Sequence, residues 1–229
     1  MISGGGMRGL QRLGLGPRVF LGLLLAVVLG ACTHERTGPV SKHYADFATR
    51  APRNNTVYVC HAYGCRLQTP FRFTDGDIAA LKTLMSKTRK GDTAAEERRA
   101  VAYAIGWMER RVGDVLGTSA DRPGMDFTAS GDPTQQDCVD EATNTTSYLL
   151  ILERNNLLKH HTVSTPFSKE NLLRGVAGWP HWTAVLKENA NGQGWAVDSW
   201  IYVNGENPAV VEVEHWYISS LAELPSPTR

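Results

Sequence analysis

The sequence lacks three features that would each point to a particular class of protein. Its lysines and arginines are dispersed, with no basic stripe interleaved with aromatic residues, so we expect no nucleic-acid partner. Its one long apolar run, residues 19–30, is shorter than the roughly 20 residues that cross a bilayer, so a permanent transmembrane anchor is not expected. Internal repeats are absent as well, and the length that follows this run suits a single domain.

Spacings typical of metal sites are also missing. Cys60 and Cys65 flank His61, but zinc sites use closer cysteine pairs and four ligands, and the sequence offers no convincing second pair. The acidic residues between positions 117 and 136 do not follow the spacing of an EF-hand. We therefore predict no metal and no other cofactor.

The first residues have the layout of a bacterial export signal. Three arginines precede the apolar run, and the segment Leu29-Gly30-Ala31-Cys32 resembles the lipobox of bacterial lipoproteins, in which the cysteine is acylated and becomes the mature N-terminus. We predict a lipoprotein signal peptide at residues 1–31 and lipidation of Cys32, with an ordinary cleaved signal as the alternative. The resemblance implies a protein anchored to membrane lipid in the bacterial envelope and facing the periplasm. Thr33, where inner-membrane lipoproteins tend to carry Asp, favours the outer membrane.

The mature chain divides into a polar segment and a domain. Residues 32–55 are polar, with Gly38, Pro39 and scattered charge, which is typical of a tether that holds a domain away from a membrane. Residues 56–229 are predicted as the domain itself. Removing the three leader arginines changes the formal net charge from +1 to −2.

Local signals predict the first elements of the domain. Residues 56–60 form a predicted strand, and a second extended stretch ends near Phe73. Thr74 and Thr93 each begin a segment that resembles a helix capping box, and apolar residues recur at helical spacing behind both. Residues 117–136 follow as a long loop, and loops of this length inside a compact domain are usually functional or disordered.

The cysteine count leaves Cys138 without a structural role. In an exported protein we expect Cys60 and Cys65 to form a disulfide, while Cys32 carries lipid. Cys138 begins a predicted helix whose N-cap is Asp137. The residues that follow at helical spacing place the thiol on the stripe that faces the core.

Two effects oppose each other at this thiol. The unpaired N–H groups and the dipole at a helix start lower the pKa of a cysteine, whereas the neighbouring Asp140 and Glu141 oppose that effect. A reactive Cys138 therefore needs a basic partner, and the alternative is a buried, inert cysteine.

Two alternating strands supply a base and an acid. His181 lies in the predicted strand at residues 180–187, and Asp198 lies among aromatic residues in the strand at 194–203. If residues 188–191 form a four-residue loop, Lys187 pairs with Gly192, and His181 lies directly opposite Asp198. A two-residue turn at Asn191-Gly192 would instead separate them too far for a hydrogen bond. His215, on the apolar face of another predicted strand, is the alternative base.

Three segments resemble the Cys, His and Asp motifs of the transglutaminase-like superfamily, nearest the bacterial transglutaminase-like cysteine proteinases. They are Gln136-Asp137-Cys138-Val139-Asp140-Glu141-Ala142, Pro180-His181-Trp182-Thr183-Ala184-Val185 and Trp195-Ala196-Val197-Asp198-Ser199-Trp200. The resemblance implies an α+β, papain-like cysteine-enzyme fold in which helices pack on an antiparallel sheet.

The resemblance also implies a role for each residue. Cys138 would be the nucleophile, His181 the general base and then acid, and Asp198 the carboxylate that orients the histidine. The family commonly has Gly two residues before the cysteine, where this chain has Gln136. We expect the N–H of Cys138, with a side chain from Gln135 or Gln136, to stabilise the oxyanion.

The function implied by the resemblance is that of an envelope-anchored cysteine peptidase or related acyl transferase. Its substrate would be a protein or peptide amide bond, and its intermediate a thioester on Cys138. Two alternatives remain: an amidase of peptidoglycan stem peptides, and a catalytically silent lipoprotein that serves binding or assembly. Thiol reactivity separates the enzymes from the silent protein.

Overall fold

The computed structural model of the protein describes Met1, residues 38–169 and residues 180–225. The predicted signal peptide, apart from Met1, and the predicted lipidation of Cys32 lie outside the described residues. All residues described from position 38 onwards belong to one compact unit, Arg36–Arg229. No helix in the described ranges is both long and apolar enough to cross a bilayer.

The described part of the chain is α+β, with five α-helices and six strands. In chain order they are α1 Val40–Asp46, β1 Thr56–His61, β2 Leu67–Arg72, α2 Asp75–Thr88, α3 Ala94–Leu116, α4 Cys138–Arg154, β3 His161–Lys169, β4 His181–Glu188, β5 Gly194–Asp198, β6 Ala209–Glu212 and α5 Val213–Ile218. The strands form two antiparallel sheets, the hairpin β1-β2 and a four-stranded sheet in the order β3-β4-β5-β6.

Side-chain caps fix the starts of α2 and α3, as the sequence predicts. At α2, the Thr74 hydroxyl accepts from the N–H of Asp77, and the Asp77 carboxylate accepts from the N–H of Thr74, which completes the capping box. At α3 only half of the box forms. The Thr93 hydroxyl accepts from the N–H of Glu96, but the Glu96 carboxylate bonds to Lys90 and Arg99 instead.

The element that joins the two sheets is α4, which packs against both β1 and β4. Thirteen of its 17 residues are buried. Its second half contributes Leu149, Ile151 and Leu152 to a core shared with apolar residues of α2, α3 and both sheets. Full burial of such a side chain contributes about 1.5–3 kcal/mol, so this half of α4 stabilises the whole domain.

The predicted tether is wrong for the residues that the structure describes from position 38. Val40–Asp46 forms α1, whose His43 and Tyr44 side chains are buried. His43 Nε2 lies 2.8 Å from the Thr143 hydroxyl, and the Tyr44 hydroxyl lies 2.9 Å from that of Ser147. The segment is polar, as the sequence indicates, but its polar groups bond to polar residues of α4. Composition alone does not show whether polar side chains bond to other protein groups or to water.

Candidate active site

Cys138 is the first residue of α4, and the cap predicted for it is present. The Asp137 carboxylate accepts from the N–H groups of Val139 and Asp140, and the Asp140 carboxylate accepts in return from the N–H of Asp137. This closed capping box determines where the helix begins. It therefore also determines where the Cys138 side chain leaves the backbone.

The thiol lies against the first residues of β4. Cys138 Sγ is 3.5 Å from the carbonyl oxygen of Pro180, and the backbone N–H of Trp182 bonds to the sulfur. His181 lies between these two residues in the strand. The structure thus places the sulfur beside the backbone that carries the predicted base.

His181 and Asp198 are directly bonded. His181 Nε2 is 2.6 Å from Asp198 Oδ2, and each residue is only 1% exposed. Among the described residues, His181 Nδ1 has no hydrogen-bond partner. The pairing with Asp198 orients the ring through Nε2 and leaves Nδ1 free, and no hydrogen bond joins Nδ1 to the Cys138 sulfur.

The register between β4 and β5 differs by two residues from the predicted one. Lys187 pairs with Gly194 instead of Gly192, and the four-residue connection comprises residues 189–192. Gly192 lies inside that connection at a φ of 77°, with its N–H bonded to the carbonyl of Glu188. Glycine tolerates such a φ without strain, so the position of Gly192 determines which residues form the connection.

The shift makes Asp198 a diagonal neighbour of His181 on the same face of the sheet. Continuing the observed ladder places Asp198 level with Thr183, two residues along β4 from His181. Diagonal neighbours on one face are still within reach of long and aromatic side chains. The predicted partnership is therefore present, although the predicted direct cross-strand pairing is wrong.

Trp216 is a member of the site that sequence reasoning missed. Its indole Nε1–H donates to Asp198 Oδ2 at 2.7 Å, and its ring centroid lies 5.3 Å from that of His181. The sequence predicted a strand here with His215 on its apolar face, but the strand ends at Glu212 and α5 follows. His215 is exposed, so it does not replace His181. One feature of the sequence could have indicated Trp216: a buried acid such as Asp198 needs more than one hydrogen-bond donor, and an indole N–H can be one of them.

Burial makes Cys138 a protonated thiol in this conformation. The side chain is 3% exposed, and loss of hydration raises its pKa to about 12. The negative charges of Asp137, Asp198 and Asp140 raise it further, whereas the Trp182 N–H lowers it. The expected lowering by the helix start is outweighed, because burial disfavours the thiolate more strongly. A nucleophilic Cys138 must give its proton to His181 when it attacks.

Two further buried carboxylates, those of Glu109 and Asp121, interact with Glu141 of α4. Burial raises the pKa of Glu109 to about 8 and that of Asp121 to about 7. It also raises the pKa of Glu141 well above its ordinary value, and the Glu109 charge adds to this shift. Ser199 donates to Glu141 Oε2 at 2.9 Å, and the N–H of Gly205 donates to Glu109 Oε2 at 3.0 Å. These acids therefore hold the loop that follows Asp198.

Gln135 and Gln136 are buried in packing contacts of the loop before Cys138. The Gln135 amide donates to the carbonyl of Ala120 at 2.9 Å, and the Gln136 amide donates to that of Cys60 at 3.1 Å. Each side chain thus already bonds to the backbone. Their role as oxyanion donors stays a prediction, which would require these bonds to be shared with substrate.

Cys60 and Cys65 form the predicted disulfide. Together with Asp140 they make up a group of three buried residues that could hold a metal ion. The two sulfurs are bonded to each other, so only the Asp140 carboxylate of this group is available as a ligand. Three or four ligands are usual for zinc, and this group does not supply them.

No protein-family model, curated protein or solved structure matches this chain.

Proposed function

We propose that this protein is a cysteine-dependent acyl-transfer enzyme of transglutaminase-like fold that acts on amide bonds of proteins or peptides in the bacterial envelope. Cys138 is the nucleophile, His181 the general base and acid, and Asp198 the orienting carboxylate. The observation that carries the proposal is that only one of the two imidazole nitrogens of His181 has a hydrogen-bond partner. Nε2 is held by Asp198, and Nδ1 is left unpartnered in the strand against which the Cys138 sulfur lies.

The chemistry follows from this arrangement. As the sulfur of Cys138 attacks the amide carbonyl carbon, its proton passes to His181 Nδ1, and the carbonyl oxygen becomes an oxyanion. The N–H of Cys138 is one of the first four in the helix, which have no partner within it, so it suits the oxyanion. The C–N bond then breaks, and the leaving amine takes the proton from His181. Water or a second amine resolves the thioester by the reverse steps.

Aromatic side chains cover the site. Trp182 and Trp200 pack in the apolar cluster that contains Cys138, and the Trp200 ring lies 4.7 Å from that of His181. A substrate carbonyl must displace one of these groups to reach the sulfur. This enclosure excludes water from the resting site, which strengthens the interaction between His181 and Asp198.

The experiment that tests the proposal is alkylation of the full-length protein by iodoacetamide, with the Cys138 peptide quantified by mass spectrometry across pH 5–9. We expect Cys138 to be labelled below pH 8 and His181→Ala to slow labelling at least about tenfold, because the thiol loses its proton acceptor. The matched control is His215→Ala, which removes an exposed histidine and should leave the rate unchanged. Equal rates for His181→Ala and the unaltered protein would exclude the proposed base.

One observation favours the catalytically silent protein as a second candidate. The thiol is almost fully buried and its pKa is raised to about 12, as in a cysteine retained for packing. A silent protein would show no labelling of Cys138 below pH 8 in the folded state. The same experiment therefore distinguishes the two functions.

A further inference from the structure

The disulfide closes a turn whose backbone is left-handed over four consecutive residues. Ala62, Tyr63, Gly64 and Cys65 have φ values of 68°, 69°, 65° and 55°. Only Gly64 adopts this conformation without a steric penalty, since the other three carry a Cβ atom. Such backbone persists only where its surroundings impose it. Residues 60–65 are called the disulfide turn below.

The N–H groups of the disulfide turn converge on the two carboxylates that cap α4. Tyr63 N–H donates to Asp140 Oδ2 at 2.8 Å, and Cys65 N–H donates to Asp140 Oδ1 at 2.5 Å. Gly64 N–H, between them, donates to Asp137 Oδ2 at 2.9 Å. Successive N–H groups in a turn form a concave site for an anion. Here the anion comes from the capping residues of the nucleophile helix itself.

The first residue of the disulfide turn is bonded to α4 one turn further along. Asn144 accepts from the N–H of Cys60 at 2.7 Å and donates to its carbonyl at 2.8 Å. On the other side of the cap, Ala62 N–H donates to the carbonyl of Gln135 at 2.8 Å. The disulfide turn therefore contacts the chain before and after Cys138.

We propose that the disulfide turn, acting through Asp140, is the element that positions Cys138 for attack. The proposal rests on the proposed function. Asp140 is a positioning residue: both of its oxygens are taken by N–H donors, and its own backbone belongs to the turn of helix that begins at Cys138. If the Cys60–Cys65 bond is absent, the left-handed turn relaxes and its donors leave the carboxylates. The helix start then moves, and the sulfur moves with it.

Charge and position make opposite predictions for Asp140. The titratable groups around Cys138 are its neighbours Asp137 and Asp140, with His181 on β4 and Asp198 on β5. Removing the Asp140 charge alone would favour the thiolate and speed alkylation. Loss of positioning would slow it, because small misplacements of a reacting group have large effects on rate.

The test measures iodoacetamide labelling of the Cys138 peptide in full-length protein across pH 5–9. We expect Asp140→Asn and the double variant Cys60→Ser/Cys65→Ser each to slow labelling about tenfold or more. A variant that combines Asp140→Asn with both serine substitutions should be labelled only slightly more slowly than either variant alone, because both changes disrupt the same structural unit. Faster labelling in Asp140→Asn, or independent multiplicative effects, would overturn the proposal.

The matched control is Glu97→Gln on α3. Glu97 is also a buried carboxylate that accepts from consecutive N–H groups, those of Lys159, His160 and His161, but it lies outside the described active site. We expect it to lower the unfolding midpoint while leaving the labelling rate unchanged. Equal slowing in the control would show a general effect of stability and would also overturn the proposal.

The outcome for His181→Ala keeps the two proposals separate. If His181→Ala slows labelling but Asp140→Asn and the serine double variant do not, the positioning proposal fails and the proposed function stands. If labelling does not depend on His181, the proposed function fails, and the positioning proposal fails with it because it rests on that function. Circular dichroism of each variant confirms that the labelled protein is folded, and the serine pair provides the test should Asp140→Asn not fold.

Discussion

The two halves of α4 are both buried, but different interactions hold them. The first half, from Cys138 to Ser147, is mostly polar, and its side chains bond to several other elements of the domain. These bonds are Thr143 to His43, Asn144 to Cys60, Thr145 to Ser199 and Ser147 to Tyr44. The second half, from Tyr148 to Leu152, packs in the apolar core.

The two kinds of interaction have different effects: apolar burial stabilises the fold, and hydrogen bonds fix where side chains lie. A buried hydrogen bond contributes about 1 kcal/mol net, but it fixes the direction and distance of its partners. Burial of a leucine contributes more, yet it fixes no direction. The apolar half therefore provides most of the stability, and the polar half sets where Cys138, the disulfide turn and the loop after Asp198 lie relative to one another.

Leu152→Ala tests whether the apolar half provides most of the stability. It should lower the free energy of unfolding by about 2–5 kcal/mol, because it leaves a cavity in the shared core. Labelling of Cys138 in the protein that remains folded should stay within about twofold, since the two sites are far apart along α4. Urea unfolding and alkylation provide the two measurements. Val203→Ala, at an exposed site, is the control and should change stability by less than about 0.5 kcal/mol.

A second test uses the buried acids that interact with Glu141 of the polar half. Burial raises the pKa of Asp121 to about 7 and that of Glu109 to about 8. The folded state therefore holds protons that the unfolded chain releases above about pH 4. The stability that these groups contribute is fully present below that pH and is lost as the pH rises through 7 to 8.

The measurement is the urea unfolding free energy at pH 5 and pH 8. We expect a decrease of at least about 1 kcal/mol at the higher pH. Glu141→Gln removes one of the titrating acids and should make the decrease smaller. Stability that rises from pH 5 to pH 8 in the unaltered protein would mean that these carboxylates are ionised and well compensated.

Trp216→Phe tests the polar contacts of the candidate active site. It keeps an aromatic ring next to His181 but removes the N–H that bonds to Asp198, which should lower stability by about 1–2 kcal/mol. Labelling of Cys138 should slow less than in His181→Ala, because His181 still holds Asp198. Trp195→Phe is the matched control, since its buried indole N–H has no hydrogen-bond partner among the described residues. A larger loss in the control would contradict this role for Trp216.

The last substitution tests the contact between α1 and α4. Tyr44→Phe removes the hydroxyl bonded to Ser147 and should lower stability by about 1 kcal/mol. Tyr217→Phe, at an exposed position, should have no measurable effect. Identical unfolding curves for Tyr44→Phe and the unaltered protein would show that this hydrogen bond contributes nothing measurable to stability.

Features that depend on neighbours in the sequence could be predicted well. The caps at Thr74 and Asp137 are local, because the capping side chain bonds to the backbone two or three residues away. The Cys60–Cys65 bridge joins residues only five apart. The pairing of His181 with Asp198 could also be predicted. The registers considered differ from one another by even numbers of residues, so each of them places both side chains on the same face of the sheet.

Features that depend on distant contacts could not be predicted. The polar residues of α1 look like a solvated tether until their partners on α4 are known. Trp216 joins Asp198 only because β6 ends at Glu212 and α5 turns the indole back, which no local pattern indicates. The left-handed disulfide turn bonds to carboxylates more than seventy positions away, and residues such as Tyr63 do not favour that backbone on their own.

The burial of Cys138 has a consequence for the lifetime of the protein. Oxidants such as peroxides react with the thiolate, and the steps beyond sulfenic acid are irreversible for most cysteines. A sulfur that is protonated, 3% exposed and covered by tryptophan rings offers little thiolate to such oxidants. Oxidation of Cys138 by peroxide should therefore be slow in the folded protein, and its rate should report how often the tryptophan rings uncover the sulfur.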